Sequence, residues 1–264
     1  MKKIKEQKAM KWPEWMMFIR HDVSVYNALK KDKKNNVTYN EFLTEFKKDK
    51  HSLKTKDLAQ LVADKFALNI GDAETPLAED GKRAQKVGRE LRKKYEVPDI
   101  IFVSPYKRTL ETLKNIIKGW PELKKVKIVE EERIREQEHG LSLIYNDWKV
   151  FHVLHPDQGK LFDLEGLYWY RFPQGENVPD VRLRNRSWLS SIVRDFSNKK
   201  IMVVTHGLNI QATRANLERY GERKFLEINS NESTINCGVT LYKGNPNIGK
   251  SGHLELEFYN KKLY

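Results

Sequence analysis

The chain has 264 residues, with 49 lysine and arginine residues against 36 aspartate and glutamate residues and a formal net charge of +13. This length can bury one large α/β core or two small ones. The basic excess favours polyanionic partners such as phosphorylated small molecules, although scattered charge is also typical of an ordinary soluble surface.

The sequence argues against several classes of protein. It has one cysteine, Cys237, so no disulfide can form within the chain and a reducing compartment is expected. No apolar run approaches the roughly 18–20 residues that cross a bilayer, and the N-terminus lacks the apolar region of a signal peptide. We therefore expect a cytoplasmic protein without a membrane partner. Residues 1–12 are lysine-rich and predict a loosely held arm, but no nucleic-acid-binding motif accompanies them, so we expect no nucleic acid partner.

An apolar run near the N-terminus gives the first candidate site. Residues 15–19 predict a short buried strand, and Arg20, His21 and Asp22 follow it directly. In open α/β sheets, ligand crevices form at the carboxyl ends of strands. A histidine beside a permanent cation at such an end indicates an anionic substrate.

The segment after this strand is rich in helical patterns. Residues 22–30 predict a loop and the start of a helix, and residues 31–70 repeat apolar side chains at helical spacing. We interpret 31–70 as two amphipathic helices inserted between core elements, which either cap the pocket or decorate the surface. A polar loop follows, and a helix over 81–95 ends before Pro98.

Two further apolar runs also end in polar residues. Residues 99–103 predict a strand, and Ser104 is expected to cap a helix over 105–118. Residues 201–204 predict another strand, which ends in Thr205-His206-Gly207 and leads into a helix. If these strands lie beside the first one, their polar ends converge on a single crevice.

The remaining segments complete an α/β pattern. Residues 126–129 predict a strand, 141–180 are aromatic and irregular and suggest a lid or pocket wall, and 180–196 predict a helix. Two antiparallel strands are expected at 239–243 and 254–259. We predict a single domain over 1–264, built as a three-layer α/β/α sandwich with a mostly parallel central sheet.

The polar segments resemble the motifs of the histidine phosphatase superfamily, in the branch that includes cofactor-dependent phosphoglycerate mutase and fructose-2,6-bisphosphatase. The family patterns are R-H-G-x-S-x-x-N, a threonine-proline-leucine loop leading to glycine, S-P-x-x-R-x-x-x-T, E-x-x-x-G, R-x-P-x-G-E and T-H-G. The matching segments here are Arg20 to Asn27, Thr75 to Gly81, Ser104 to Thr112, Glu136 to Gly140, Arg171 to Glu176 and Thr205 to Gly207. The order and spacing of the motifs carry the resemblance, and they imply a phosphoglycerate mutase-like fold.

The resemblance also implies catalytic roles. His21 corresponds to the nucleophile that forms a phosphohistidine, and His206 to a donor that stabilises the transferring phosphoryl group. Glu136 corresponds to the general acid, because it stands four residues before Gly140, while Glu138 is the competing candidate. Such chemistry needs one imidazole nitrogen free of its proton for attack and an acid for the leaving oxygen.

Phosphate binding is assigned to a second group of residues. Arg20 and Arg108 offer planar guanidinium groups that match phosphate oxygens, and the resemblance implies that His206 also donates to a phosphoryl oxygen. Ser24 and Asn27 are further candidates for contacts to phosphate or substrate. The arginines supply the positive charge that a magnesium ion would otherwise supply, so we expect a metal-independent enzyme with no cofactor.

One departure from the family pattern leaves the function open. Asp22 replaces the glycine that follows the nucleophile, and a carboxylate there could repel a dianionic phosphate or orient His21 or an arginine. We expect a phosphatase that acts on a small phosphorylated metabolite. The alternatives are a mutase of the phosphoglycerate type, although residues 141–175 lack the arginine-rich segment of mutases, and a phospho-ligand-binding module with little turnover. The other histidines that match no motif are expected at the surface: His51, His152, His155 and His253.

Overall fold

The computed structural model describes residues 10–67 and 69–264. Most of the lysine-rich arm predicted at residues 1–12 therefore lies outside the described residues. Within the described ranges, six strands form one sheet in the order β3-β2-β4-β1-β5-β6. The strands are β1 (Trp15–Arg20), β2 (Ile100–Val103), β3 (Lys127–Glu130), β4 (Lys200–Thr205), β5 (Val239–Asn245) and β6 (His253–Lys261).

The sheet is parallel over four of these strands. β1 pairs with β4, β4 with β2 and β2 with β3, all in parallel, whereas β5 runs antiparallel to β1 and β6 antiparallel to β5. The predicted mostly parallel sheet with an antiparallel hairpin at its end is confirmed. As a consequence, the carboxyl ends of β2, β4 and β1 lie side by side.

Helices account for most of the rest of the described chain. They are α1 (Val25–Lys34), α2 (Val37–Lys48), α3 (Leu53–Phe66), α4 (Lys82–Arg92), α5 (Lys107–Gly119), α6 (Trp148–Leu154), α7 (Pro156–Trp169), α8 (Val178–Asp195), α9 (Gly207–Leu217) and α10 (Glu222–Asn231). Among the described residues, no helix is long and apolar enough to cross a bilayer.

Alternate side chains of the central strands build two apolar cores. In β1, Met17 and Ile19 pack with α4 and α5 on one face, while Met16 and Phe18 pack with α8 and α9 on the other. Strand residues point alternately to the two faces of a sheet, so a continuous apolar run is what a strand buried on both faces requires. The predicted three-layer α/β/α arrangement follows from this packing.

The helices predicted within 31–70 are present as α2 and α3. They pack on α6 rather than on the central sheet, through a shared apolar cluster that includes Phe42, Val62 and Val150. The inserted segment therefore contacts the segment after the acidic motif.

The irregular structure predicted for 141–180 is wrong. That segment contains a 3-10 turn, α6 and α7. The Asp147 side chain accepts a hydrogen bond from the Lys149 amide at the start of α6, and Pro156 opens α7. Aromatic side chains on several sides of these helices hide the apolar periodicity. The surface position expected for His152 is also wrong, because it is 5% exposed within this aromatic cluster.

The expectation that Ser104 caps a helix is wrong as well. The helix α5 begins at Lys107, after Tyr106, and Tyr106 makes no side-chain capping hydrogen bond. The Ser104 hydroxyl lies instead 2.7 Å from Nε2 of His206. The long-range bond to a buried imidazole takes the place of the local cap.

Candidate active site

The three neighbouring strand ends bring most of the candidate residues to one small cavity. It has a volume of about 80 Å³ and is lined by Arg20, His21, Ser24, Asn27, Arg108 and Glu136, among others. His206 lies behind His21, with 5.2 Å between the two ring centroids. The predicted convergence of strand ends on one crevice is therefore present in the structure.

The surroundings of His21 fix which ring nitrogen is free. His21 is 3% exposed, and its Nδ1 lies 2.6 Å from the carbonyl oxygen of Asp22. Since a carbonyl can only accept, Nδ1 carries the proton and Nε2 of the neutral ring is bare. Burial lowers the pKa of His21 well below its ordinary value, and the charges of Arg20 and Arg108 lower it further. The ring is thus held neutral, with one ring nitrogen free of its proton.

His206 is buried beside His21, with one ring nitrogen in a hydrogen bond and the other without a partner among the described residues. It is fully buried, and the Ser104 hydroxyl can donate to its Nε2 over 2.7 Å. Nδ1 then carries the proton, and it is buried without a partner among the described residues. Burial is the main cause that lowers the pKa of His206, followed by the charge of Arg108. An uncharged ring with one unpartnered ring nitrogen therefore lies beside His21.

Arg20 is fixed from the side opposite the cavity. One of its guanidinium nitrogens donates to the Thr234 carbonyl oxygen, while its Nε is buried without a partner in the described part of the chain. Gly207 permits this packing, because a Cβ there would lie 2.7 Å from Thr234 Oγ1 and 3.4 Å from Arg20 Nε. The glycine of the Thr205-His206-Gly207 segment thus makes room for the arginine.

Arg108 makes an ion pair that the sequence did not predict. Its Nη1 lies 2.9 Å and its Nη2 3.2 Å from the two carboxylate oxygens of Asp72, and Nη1 also donates to the Asp72 carbonyl oxygen over 2.6 Å. The guanidinium lies over the Tyr106 ring, 4.8 Å from its centroid. Asp72 and Arg108 both line the cavity, so a carboxylate occupies part of the donor fork that would face a phosphate.

The two candidate acids have different surroundings. Glu136 lines the cavity, and its Oε1 accepts a hydrogen bond of 3.1 Å from the Gln137 amide. Glu138 instead pairs with Arg135, with 2.8 Å between Nε and Oε1. Of the two, Glu136 lines the cavity that His21 also lines, and Glu138 does not.

The comparison with protein families agrees with this geometry. The family model described as histidine phosphatase superfamily (branch 1) matches residues 66–250. The chain belongs to the histidine phosphatase superfamily. The resemblance read from the motifs is thereby confirmed.

Curated relatives in this family match parts of the chain. A phosphoglycerate mutase-like protein of Arabidopsis thaliana is 30% identical over 158 residues, which is 52% of this chain and 54% of that protein. Phosphoserine phosphatase 1 of Hydrogenobacter thermophilus is 28% identical over 139 residues, which is 52% of this chain and 61% of that protein. The chain thus covers between about half and three fifths of the length of these relatives.

Solved structures extend the likeness to the whole fold. YhfR of Bacillus stearothermophilus has a TM-score of 0.64 at 18% identity and covers 95% of this chain and 99% of its own. A mycobacterial glucosyl-3-phosphoglycerate phosphatase in complex with VO3 has a TM-score of 0.62 at 18% identity and covers 94% and 99%. At this level of identity the likeness shows the fold of the superfamily.

Ser24 and Asn27 line the cavity but also build the start of α1. The Ser24 hydroxyl accepts from the Asn27 amide over 3.3 Å, and the Asn27 side chain accepts from the Ser24 amide over 3.2 Å. This reciprocal capping box satisfies two amides at the helix end. The Asn236 side chain donates to Asn27 Oδ1 over 3.1 Å, which joins this helix end to the segment before β5.

Asp22, at the position of the family glycine, directs its carboxylate away from the cavity. The carboxylate oxygens accept from the Val23 amide over 2.8 Å and from the Ala84 amide over 3.2 Å. The helix α4, whose third residue is Ala84, has no side-chain cap of its own at Gly81. The Asp22 side chain therefore caps α4, and it makes neither of the contacts to His21 or a cavity arginine that the sequence suggested.

Arg184 is a residue that sequence reasoning missed. From α8 it donates to the carbonyl oxygens of Arg133 and Arg135 over 2.8 Å and to that of Glu136 over 2.9 Å. Its Nε also lies 2.8 Å from Glu176. These bonds hold the backbone that carries the candidate acid. The spacing of the helix gives no signal for them, because the partners lie about fifty residues earlier in the chain.

The structure also bears on metal binding and on the lone cysteine. Within the described residues there is no group of three or more histidine, cysteine, aspartate or glutamate side chains that could hold a metal ion. Cys237 is buried, and burial raises the pKa of its thiol. A protonated, buried thiol has little nucleophilic reactivity.

Proposed function

We propose that the protein hydrolyses a phosphate monoester of a small metabolite through a phosphohistidine on His21. The observation that carries this proposal is a neutral His21 whose bare Nε2 shares one cavity with two guanidinium groups and the carboxyl of Glu136. Phosphoryl transfer depends mainly on positioning and on stabilisation of the charge of the equatorial oxygens, and these residues supply both.

In the first step, His21 Nε2 attacks phosphorus as the bond from phosphorus to the ester oxygen breaks. Glu136 gives its proton to the leaving oxygen, so an alcohol departs. The phosphorylated ring keeps its proton on Nδ1, where the Asp22 carbonyl oxygen at 2.6 Å stabilises the positive charge. Arg20, Arg108 and the unused Nδ1–H of His206 bind the phosphoryl oxygens.

In the second step, Glu136 is a carboxylate and takes a proton from water. The hydroxide that forms attacks phosphorus, the bond between phosphorus and Nε2 breaks, and inorganic phosphate leaves. His21 returns to its neutral state. No electrons are exchanged with a cofactor and no metal ion takes part, because the guanidinium groups carry the positive charge that the reaction needs.

The structure bears differently on the two alternatives. A binding module was suggested by Asp22, and the cap that this carboxylate forms on α4 removes the reason for that alternative. A mutase would pass the phosphoryl group to a second hydroxyl of a polar substrate. Residues 141–175 lack the arginine-rich segment expected of mutases, which favours transfer to water.

The proposal is tested by release of phosphate from 4-nitrophenyl phosphate in the presence of a chelator. We expect turnover that is lost in His21→Gln and kept in His51→Gln, because His51 is an exposed histidine far from the motifs. Turnover that requires an added divalent metal, or that survives His21→Gln, would overturn the proposal. Interconversion of phosphoglycerates that exceeds hydrolysis would favour the mutase.

A further inference from the structure

A second cavity adjoins the candidate phosphate site. It has a volume of about 100 Å³ and shares Tyr26, His139 and Leu143 with the smaller cavity that contains His21. An ester bound with its phosphoryl group at His21 must extend its alcohol portion away from the arginines. The shared wall places this second cavity next to that portion.

The wall of the second cavity is mainly aromatic and aliphatic. Its apolar members include Trp148, Phe162, Leu167, Tyr170 and Phe172. Several polar groups in the wall are paired within the protein: Ser142 donates to the His139 carbonyl oxygen, Gln137 to the Glu176 carbonyl oxygen and Tyr170 to Gln158. Asn146 Oδ1 is buried without a partner among the described residues. The surface that the wall offers a ligand is mainly apolar.

The cavity also lacks the positive charge that would bind an anionic part of a substrate. No lysine or arginine is among the described residues that line it. Its one acidic residue, Asp147, forms an ion pair of 3.2 Å with Lys33 and accepts a hydrogen bond of 2.8 Å from Tyr39. A substrate with a carboxylate or second phosphate at this point would therefore meet no cation.

The cavity opens to solvent through apolar side chains. Trp148 and Leu167 line it and are 41% and 48% exposed. Exposed apolar side chains at the mouth of a cavity are typical of a ligand-binding site. The inserted helices support this wall from behind, because α2 and α3 pack on α6 and Lys33 and Tyr39 hold Asp147.

We propose that the alcohol portion of the substrate is a compact apolar group, such as one aromatic ring or a branched alkyl chain. Apolar cavities of about 150 Å³ accept benzene, so a cavity of about 100 Å³ that is open at one side fits one ring and not a nucleoside or disaccharide. The inference rests on the proposed function, since it assumes that His21 receives the phosphoryl group.

The test compares 2-phenylethyl phosphate with ethyl phosphate. Both release a primary alcohol of similar acidity, so a difference in kcat/KM reports recognition rather than leaving-group chemistry. We expect the phenylethyl ester to be favoured by about tenfold to a hundredfold, as burial of one ring implies. Equal values for the two esters, or a preference for 3-phosphoglycerate, would overturn the inference.

Two variants of α7 provide a matched pair. Leu167→Gln changes a cavity residue, whereas Leu164→Gln changes a residue of the same helix that is 85% exposed. We expect Leu167→Gln to reduce kcat/KM for the phenylethyl ester, and with it the preference for this ester, at least about fivefold. Leu164→Gln should leave both unchanged. An equal effect of the two variants would contradict the inference.

Calorimetry with phosphonates separates this inference from the proposed function. If neither ester is hydrolysed, the hydrolase proposal fails, and binding of 3-phenylpropylphosphonate can still be compared with binding of propylphosphonate. Tighter binding of the phenyl compound, lost in Leu167→Gln, would support the apolar subsite on its own. Equal binding would overturn it.

Discussion

Asp72 pairs with Arg108 through both carboxylate oxygens, at 2.9 and 3.2 Å. The contact places a negative charge within the cavity that is proposed to bind phosphate. An incoming phosphoryl group must share the guanidinium with this carboxylate or displace it. The pair therefore sets how strongly the empty site attracts an anion.

We expect Asp72→Asn to tighten competitive inhibition by inorganic phosphate about threefold to tenfold, because it removes a negative charge beside the anion. The inhibition constant measures this effect. Glu74→Gln is the control, since Glu74 is an exposed acid two residues later, and it should change the constant little. Weaker inhibition in Asp72→Asn would mean that Asp72 positions Arg108 for phosphate.

The cap that Asp22 forms on α4 gives a prediction about stability. Asp22→Ala should lower the free energy of unfolding by about 1–2 kcal/mol, the usual cost of losing a buried cap. Because the carboxylate does not line the cavity, inhibition by phosphate should change by less than about threefold. Denaturant unfolding and inhibition assays measure the two quantities.

Asp80→Ala is the matched control for this experiment. Asp80 is exposed and accepts a hydrogen bond from the Lys82 amide at the same helix end, so its loss should cost under about 0.5 kcal/mol. Tighter phosphate binding in Asp22→Ala with unchanged stability would show instead that Asp22 repels the substrate.

The polar residues at the strand ends could be predicted from the sequence, whereas the side chains that pair with them could not. The apolar runs that end at Arg20 and Thr205 define two parallel strands, and parallel strands present their carboxyl ends at one edge. Asp72 lies 36 residues before Arg108, and no local pattern joins them. Ser104 shows the same limit, since a local capping preference yielded to a bond with His206, 102 residues away.

The aromatic segment after the acidic motif, residues 141–180, was the hardest part to predict from the sequence, for a related reason. Its helices α6 and α7 bury aromatic side chains against one another and against the inserted helices, so no single apolar face repeats along them. The motifs pointed to Glu136, which lines the cavity together with His21, because their spacing reflects a turn that is largely local. The residues that hold this turn, Arg184 and Glu176, act over longer distances.

Arg184 is expected to position the general acid and not to bind phosphate. Arg184→Lys cannot reach three carbonyl oxygens at once, so the Glu136 turn should be less well held. We expect kcat/KM for ethyl phosphate, which reports the first step only, to fall about tenfold to a hundredfold. The loss in kcat/KM for 4-nitrophenyl phosphate should be under about threefold, because its leaving group needs no proton.

Arg186→Lys, on the same helix but exposed, should affect neither substrate. Inhibition by phosphate should be unchanged in both variants. An equal loss on the two substrates in Arg184→Lys would indicate a general structural defect, and the positioning role would be wrong.

His152 gives a prediction about pH and stability. Burial lowers its pKa to about 4, whereas an unfolded histidine titrates near about 6.5. Between these values the unfolded chain binds the extra proton, so the free energy of unfolding should fall as the pH is lowered from 6.5 towards 4. His152 alone contributes at most about 1.4 kcal/mol per pH unit.

His152→Phe removes this contribution and keeps an aromatic ring in the cluster. The slope of unfolding free energy against pH should therefore be smaller in this variant, measured by denaturant unfolding between pH 4.5 and 7. His51→Gln, at an exposed position, should keep the wild-type slope. An unchanged slope in His152→Phe would show that the buried ring does not titrate abnormally.

The central claim is a covalent phosphohistidine on His21, and rapid quenching into alkali tests it most directly. In Glu136→Gln, 4-nitrophenyl phosphate should still phosphorylate the enzyme, since its leaving group needs no acid, while attack by water is slowed. Peptide mass spectrometry should then find the phosphoryl group on His21 at close to one per chain. Continued turnover with no phosphoryl group on His21, or with the group on another residue, would contradict the account.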